Sequence, residues 1–149
     1  MRIEERFHIK SSPEAVFAYM TDPANLKVWQ PSKVSVQPLT DGPPRLGYRV
    51  KERTRIGLRQ WDQVVEFSAF EPGRVFATHI VEGPMPVDGR WTFTPDGAGG
   101  TELTFVAEGP VSGPLRLLEP LLRRGVQRSF RHYHRLLAEQ VERSGPALS

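Results

Sequence analysis

The sequence predicts an α+β domain: a seven-stranded antiparallel sheet covers one long C-terminal helix, and two short helices lie between strands 1 and 2. Three observations carry this. Residues 114–144 have the periodicity of an amphipathic helix, residues 33–108 alternate with period two between turn signals, and a capped helix pair fills residues 11–31.

Length and composition set the bounds. At 149 residues the chain suits a single domain, 1–149, which buries roughly 70% of the surface its unfolded form exposes. Cysteine is absent, which excludes disulfides, thiolate catalysis and cysteine zinc sites and fits a reducing compartment. The first residues, MRIEERF, lack the apolar run of a signal peptide, and no segment is apolar for the length of a bilayer. A cytoplasmic location is therefore expected, without stable membrane insertion. The net charge of +3 is concentrated in residues 114–144, which hold seven Arg and three Glu.

Strand 1, residues 2–10, sets Ile3, Phe7 and Ile9 against Arg2, Glu4, Arg6, His8 and Lys10. Ser12 then caps a helix with Pro13 at its first position, and Val16, Phe17 and Met20 face inward. Asp22-Pro23 repeats the signal for a second short helix through Leu26 and Trp29. This pair lacks a polar recognition helix, so no nucleic-acid partner is expected.

The meander follows. Val34 and Val36 share a strand, and residues 47–56 alternate most clearly, with Tyr48, Val50, Glu52, Thr54 and Ile56 opposite Arg49, Lys51, Arg53 and Arg55. Residues 60–70 place Trp61, Gln63, Val65 and Phe67 on one face, although the adjacent Val64 and Val65 imply a bulge or burial on both sides and leave the parity open. The next strand alternates Val75, Ala77, His79 and Val81 with Phe76, Thr78 and Ile80. Trp91 and Phe93 follow, and Asp96-Gly97-Ala98-Gly99-Gly100 turns the chain into strand 101–108.

In the last helix, Ser112-Gly113-Pro114 supplies a start and Pro120 a kink, so the regular part begins near Pro120. Leu115, Leu118, Leu122, Val126, Phe130, Tyr133, Leu137 and Val141 form a stripe that is expected to be buried. Arg124, Arg128, Arg131 and Arg135 form an opposing ridge, which reads as a solvated face.

The run Ser12-Pro13-Glu14-Ala15-Val16-Phe17, then Asp22-Pro23-Ala24-Asn25-Leu26 with Trp29, Glu71-Pro72, Gly99-Gly100-Thr101 and the stretch at 117–124 together resemble the START-like SRPBCC superfamily, in particular its polyketide cyclase/dehydrase branch. The resemblance spans nearly the whole chain. It implies a helix-grip (START/Bet v 1-like) fold, with a mostly apolar cavity between sheet and final helix.

The usual catalytic signatures are missing: there is no G-x-S-x-G elbow, phosphate loop, dinucleotide fingerprint or H-E-x-x-H. His132 and His134 point about 160° apart on a helix and cannot chelate one metal, so neither metal nor cofactor is expected. What remains is polar residues on apolar strand faces. Glu52, between Val50 and Thr54, must be protonated, paired or wet, and is the first candidate for a group facing a ligand. His79, between Ala77 and Val81, reads as the histidine placed to point inward, and Gln63 is third. Trp29, Trp61, Trp91 and Tyr133 offer stacking surfaces.

The expected cavity wall comprises Phe17, Met20 and Trp29 from the helix pair and Tyr48, Val50, Glu52 and Thr54 from one strand. Trp61, Gln63, His79 and Trp91 join from its neighbours, and Leu118, Leu122 and Val126 from the last helix. The leading reading is a monomeric or homodimeric protein that binds a small hydrophobic or aromatic ligand. The alternative is a polyketide cyclase/dehydratase-type enzyme, with Glu52 or His79 as acid or base.

Overall fold

The structure, a computed structural model, describes residues 1–111 and 113–144; Ser112 of the expected helix start lies outside them. The strands are β1 (Arg2–Ile9), β2 (Lys33–Pro38), β3 (Arg49–Ile56), β4 (Arg59–Glu71), β5 (Val75–Glu82), β6 (Asp88–Pro95) and β7 (Thr101–Glu108). All seven form one antiparallel sheet in the order β1-β7-β6-β5-β4-β3-β2. From β2 to β7 each strand pairs with its successor, and β1 joins the sheet by pairing along β7 from Arg2↔Glu108 to Ile9↔Thr101. Gly57, at φ +62°, makes the β3–β4 turn in a conformation that a side chain would strain.

The helices begin where the capping signals place them. α1 (Pro13–Thr21) is capped by Ser12, whose Oγ accepts from the Ala15 N–H at 3.2 Å. Asp22 accepts from the Ala24 N–H at 2.9 Å and starts a 3-10 turn that leads into α2 (Leu26–Trp29). A second 3-10 segment, Gly113–Leu118, precedes α3 (Glu119–Ser144), so regular α geometry begins one residue before Pro120. The first helical turn is where a missing N–H costs nothing.

α3 runs beside β1 in the same direction. The N-terminal ammonium of Met1 meets Glu119 at 3.2 Å at one end, and the Lys10 N–H donates to Glu142 at 2.9 Å at the other. The core lies between the helices and the inner sheet face, where Ile9, Val16, Trp29, Leu103, Phe105 and Leu137 are almost wholly buried. The outer face is wet, and Arg49–Glu66 and Arg53–Asp62 pair across its strands at 2.9 and 2.8 Å.

Two expectations need correction here. The apolar stripe of the last helix is buried only in its second half: Leu137 and Val141 are covered, but Leu115, Leu118 and Leu122 are exposed. The second half of α3 rests on β1, α1 and α2, whereas the first half stands over a hollow that separates it from the sheet. His79 is the second correction. Phe76, Thr78 and Ile80 take the inner face of β5, so His79 emerges on the outer face and pairs with Asp88.

Candidate functional site

Between the inner sheet face and the first half of α3 lies a hollow of about 530 Å³. Trp29, Phe130 and Tyr133 wall the helix side, and Val50, Val65, Phe67, Ile80, Trp91 and Phe105 the sheet side. Gly89 in β6 also borders it; a Cβ there would come within 3.3 Å of Thr78 Oγ1 and 3.5 Å of Phe105. The hollow reaches the surface where Ile56, Met85 and Leu121 are both lining residues and exposed.

One wall is polar. Glu52, in β3, points inward because Val50 and Thr54 do, and its neighbour across the β3–β4 pair is Gln63. Gln63 Nε2 donates to Glu52 Oε1 at 3.1 Å, Lys33 Nζ forms an ion pair with the same oxygen at 3.1 Å, and Lys33 Nζ donates to Thr54 Oγ1 at 3.0 Å. Trp61 Nε1 completes the chain by donating to Gln63 Oε1 at 3.2 Å. Both charged groups are largely withdrawn from water, the Lys33 and Glu52 side chains being 12% and 8% exposed. A buried carboxylate of this kind needs a cation and further hydrogen bonds, and both are present. Glu52 Oε2 makes no hydrogen bond among the described residues, and Lys33, with three N–H groups, donates one, to Thr54. The pole can therefore both accept from a ligand and donate to one.

A second polar chain lies behind the aromatic wall. Trp91 Nε1 donates to His134 Nε2 at 3.0 Å, and His134 Nδ1 lies 2.9 Å from Glu5 Oε1. An indole N–H can only donate, so Nε2 must accept and the ring proton sits on Nδ1, directed at the Glu5 carboxylate. His134 is 1% exposed, and burial pushes its pKa below the ordinary value against the opposing pull of Glu5. The neutral ring stacks on Phe7 at 4.1 Å and holds Trp91 against the hollow.

Residues 1–142 match the family described as Polyketide cyclase / dehydrase and lipid transport. The chain belongs to this family. No curated protein matches the sequence. Among solved structures, the Zhui aromatase/cyclase from Streptomyces sp. R1128 is similar at a TM-score of 0.76 and 16% identity, over 97% of this chain and 94% of that one. A START superfamily protein from Mycobacterium smegmatis gives 0.77 and 16% over 95% and 97%, and a conserved protein from Geobacillus kaustophilus gives 0.79 and 16% over 97% of each chain. At these identities the likeness establishes a common fold and leaves the chemistry to the residues.

In this member of the polyketide cyclase/dehydrase family, Met20, Trp29, Val50, Glu52, Thr54, Trp61, Gln63, Trp91, Leu122 and Val126 border the hollow, as does Tyr133. Phe17 and Tyr48 pack in the core instead, against Phe70 and Phe67 respectively, and Leu118 projects into solvent. His79 lies outside the hollow, so it cannot act there.

Sequence reasoning passed over three residues. Lys33 is hidden by a bulge between Lys33 and Ser35: counting in twos from Val36 selects Val34 for the inner face, but the extra residue turns Lys33 inward. Glu5 shares the parity of Ile3, Phe7 and Ile9, a signal present in the sequence. His134 stands four residues after Phe130, three before Leu137 and seven before Val141, which places it on the buried side of the helix.

Proposed function

We propose that the protein binds a small, mostly apolar molecule in the hollow beneath α3, with one polar group of the ligand at the Lys33–Glu52 pole. The observation that carries this reading is the largely buried Lys33–Glu52–Gln63 cluster in a hollow lined mainly by apolar and aromatic side chains. Such sites use a few placed polar groups to orient a ligand whose affinity comes from apolar burial. A hydroxyl or carbonyl suits the pole best, since it exchanges one hydrogen bond with Glu52 Oε2 or a further Lys33 N–H. Trp29, which also lines the hollow, adds a further donor: its buried Nε1 has no acceptor among the described residues.

The test is titration with aromatic ketones and phenols, followed by tryptophan fluorescence. Trp61 and Trp91 border the hollow, so binding is expected to quench or shift emission. Glu52→Gln keeps the shape and removes the charge; a change in affinity for ligands with a polar head, and none for those without, is the expected result. Equal affinities for both classes in both proteins would refute the pole as the orienting group.

A second reading, a cyclase/dehydratase, is favoured by one observation: Glu52 has a cationic partner. Glu52 could take a proton next to a ligand carbonyl while Lys33 donates to the carbonyl oxygen as charge develops there. Turnover of a poly-β-ketone distinguishes the two. A rate that falls ~10²-fold or more in Glu52→Gln while binding persists supports the enzyme; absence of turnover with intact binding supports the binder.

A further inference from the structure

Strand register brings the start of β1, the β3–β4 turn, the β5–β6 loop and the end of β7 to one end of the sheet, where α3 also begins. This end carries apolar side chains that nothing covers. Leu58 is 105% exposed and Leu117 87%, and Leu115, Leu118, Leu121 and Met85 are also exposed. A single exposed leucine means little, but a group of them on separate segments around one opening marks an interaction surface.

The charge around them names the partner. Arg55 and Arg59 flank the Leu58 turn, and Arg116, Arg123 and Arg124 are interspersed with the leucines of the 3-10 segment and α3. None of these arginines forms an ion pair among the described residues, and Glu119, the acid within that stretch, is matched by the Met1 ammonium. The same end also carries the acids Glu82, Asp88 and Glu108, of which Asp88 pairs with His79 and Glu108 with Arg2, so the surface is apolar at its tips with an excess of unpaired arginines between them.

We propose that this open end docks reversibly on an anionic lipid surface. Leucines that enter the boundary between headgroups and acyl chains, with arginines left at the level of the phosphates, satisfy both kinds of exposed group at once. A second copy of the chain fits less well, because a two-fold contact would set the arginines against one another. Leu58 argues in the same direction: a leucine wholly in solvent at a hairpin tip suits a fluid apolar layer, which needs no matching pocket. No helix among the described residues is long and apolar enough to cross a membrane, so the contact is peripheral. The hollow opens between these same segments, through Ile56, Met85 and Leu121, and docking would turn its mouth toward the lipid.

The proposal does not depend on what the hollow binds, and its test uses lipid alone. The full chain is floated with vesicles of phosphatidylcholine, or of phosphatidylcholine mixed equally with phosphatidylglycerol, at about 0.15 M salt, where charges are screened beyond about 8 Å. Binding to the anionic vesicles is expected, with little to the neutral ones. Arg123→Gln with Arg124→Gln should weaken it roughly 10- to 30-fold, and Leu58→Ser with Leu117→Ser and Leu121→Ser should abolish it. Arg135→Gln, farther along α3, should leave it unchanged. Near-ultraviolet circular dichroism of each variant verifies the fold, which these exposed positions should not disturb. No flotation of the wild-type chain, flotation unaffected by the leucine changes, or a solution dimer that those changes disperse would each overturn the proposal.

Discussion

Glu52 and Lys33 share a buried charge balance, which makes their substitutions non-additive. Lys33→Met leaves the Glu52 carboxylate without its cation and is expected to cost about 1–3 kcal/mol, less than the ~3–5 kcal/mol of a fully enclosed pair because the hollow opens to water. The double change Lys33→Met/Glu52→Gln should cost less than the two singles summed, as measured by urea denaturation. His134 gives a prediction in pH. Its folded-state pKa lies below the unfolded value of 6.5, so the unfolded chain takes up the proton first as pH falls. Stability is therefore complete above about pH 6.5 and declines below it, by at most about 1.4 kcal/mol per pH unit from this group. His134→Phe should flatten the profile of melting temperature between pH 6.5 and 5, at the expense of an unpaired Trp91 N–H. Asp96 acts lower: His8 and the Ala98 and Gly100 N–H groups hold its carboxyl at about 2, so its contribution is present above the ordinary carboxylate pKa and lost as pH falls toward 2.

Helix α3 behaves as two elements joined end to end. Its second half is a core component: Leu137→Ala is expected to destabilise by about 2–5 kcal/mol, because the side chain is wholly buried and leaves a cavity. Leu117→Ala, just before the helix, should change stability by less than ~0.5 kcal/mol. Chemical denaturation of both variants tests the division, and comparable losses would contradict it. Amide exchange should follow the same gradient, fastest near residues 119–125 and slowest near 137–141, since exposed helical turns open at lower free energy. The periodicity of the leucines identified the helix and its apolar side correctly. It could not tell that the first turns face a hollow, since periodicity records which residues share a side and says nothing of the distance to what lies opposite.

For the whole molecule, a ligand held in the hollow binds only the folded state, and saturation at about a hundred times its dissociation constant should add about 2.7 kcal/mol of stability. A rise in melting temperature that grows with ligand concentration, and that is reduced in Glu52→Gln, is the expected outcome. By itself the sequence determined the element order, the caps at Ser12 and Asp22, the wet and dry faces of β3, and the family. Each is written in local spacing or local chemistry, within a few residues of where it acts. It also singled out Glu52, because a carboxylate in an apolar row is anomalous wherever the row goes. Only the tertiary structure decided what Glu52 meets. Lys33 reaches it from another strand through a bulge that breaks the count by two, and Glu5 reaches His134 across 129 positions of chain. His79 shows the same limit from the other side. Its strand alternates apolar residues on both faces, so the row packed inside is settled by register against β4 and β6. Alternation is a property of one strand, whereas inside and outside belong to the assembled sheet and helix.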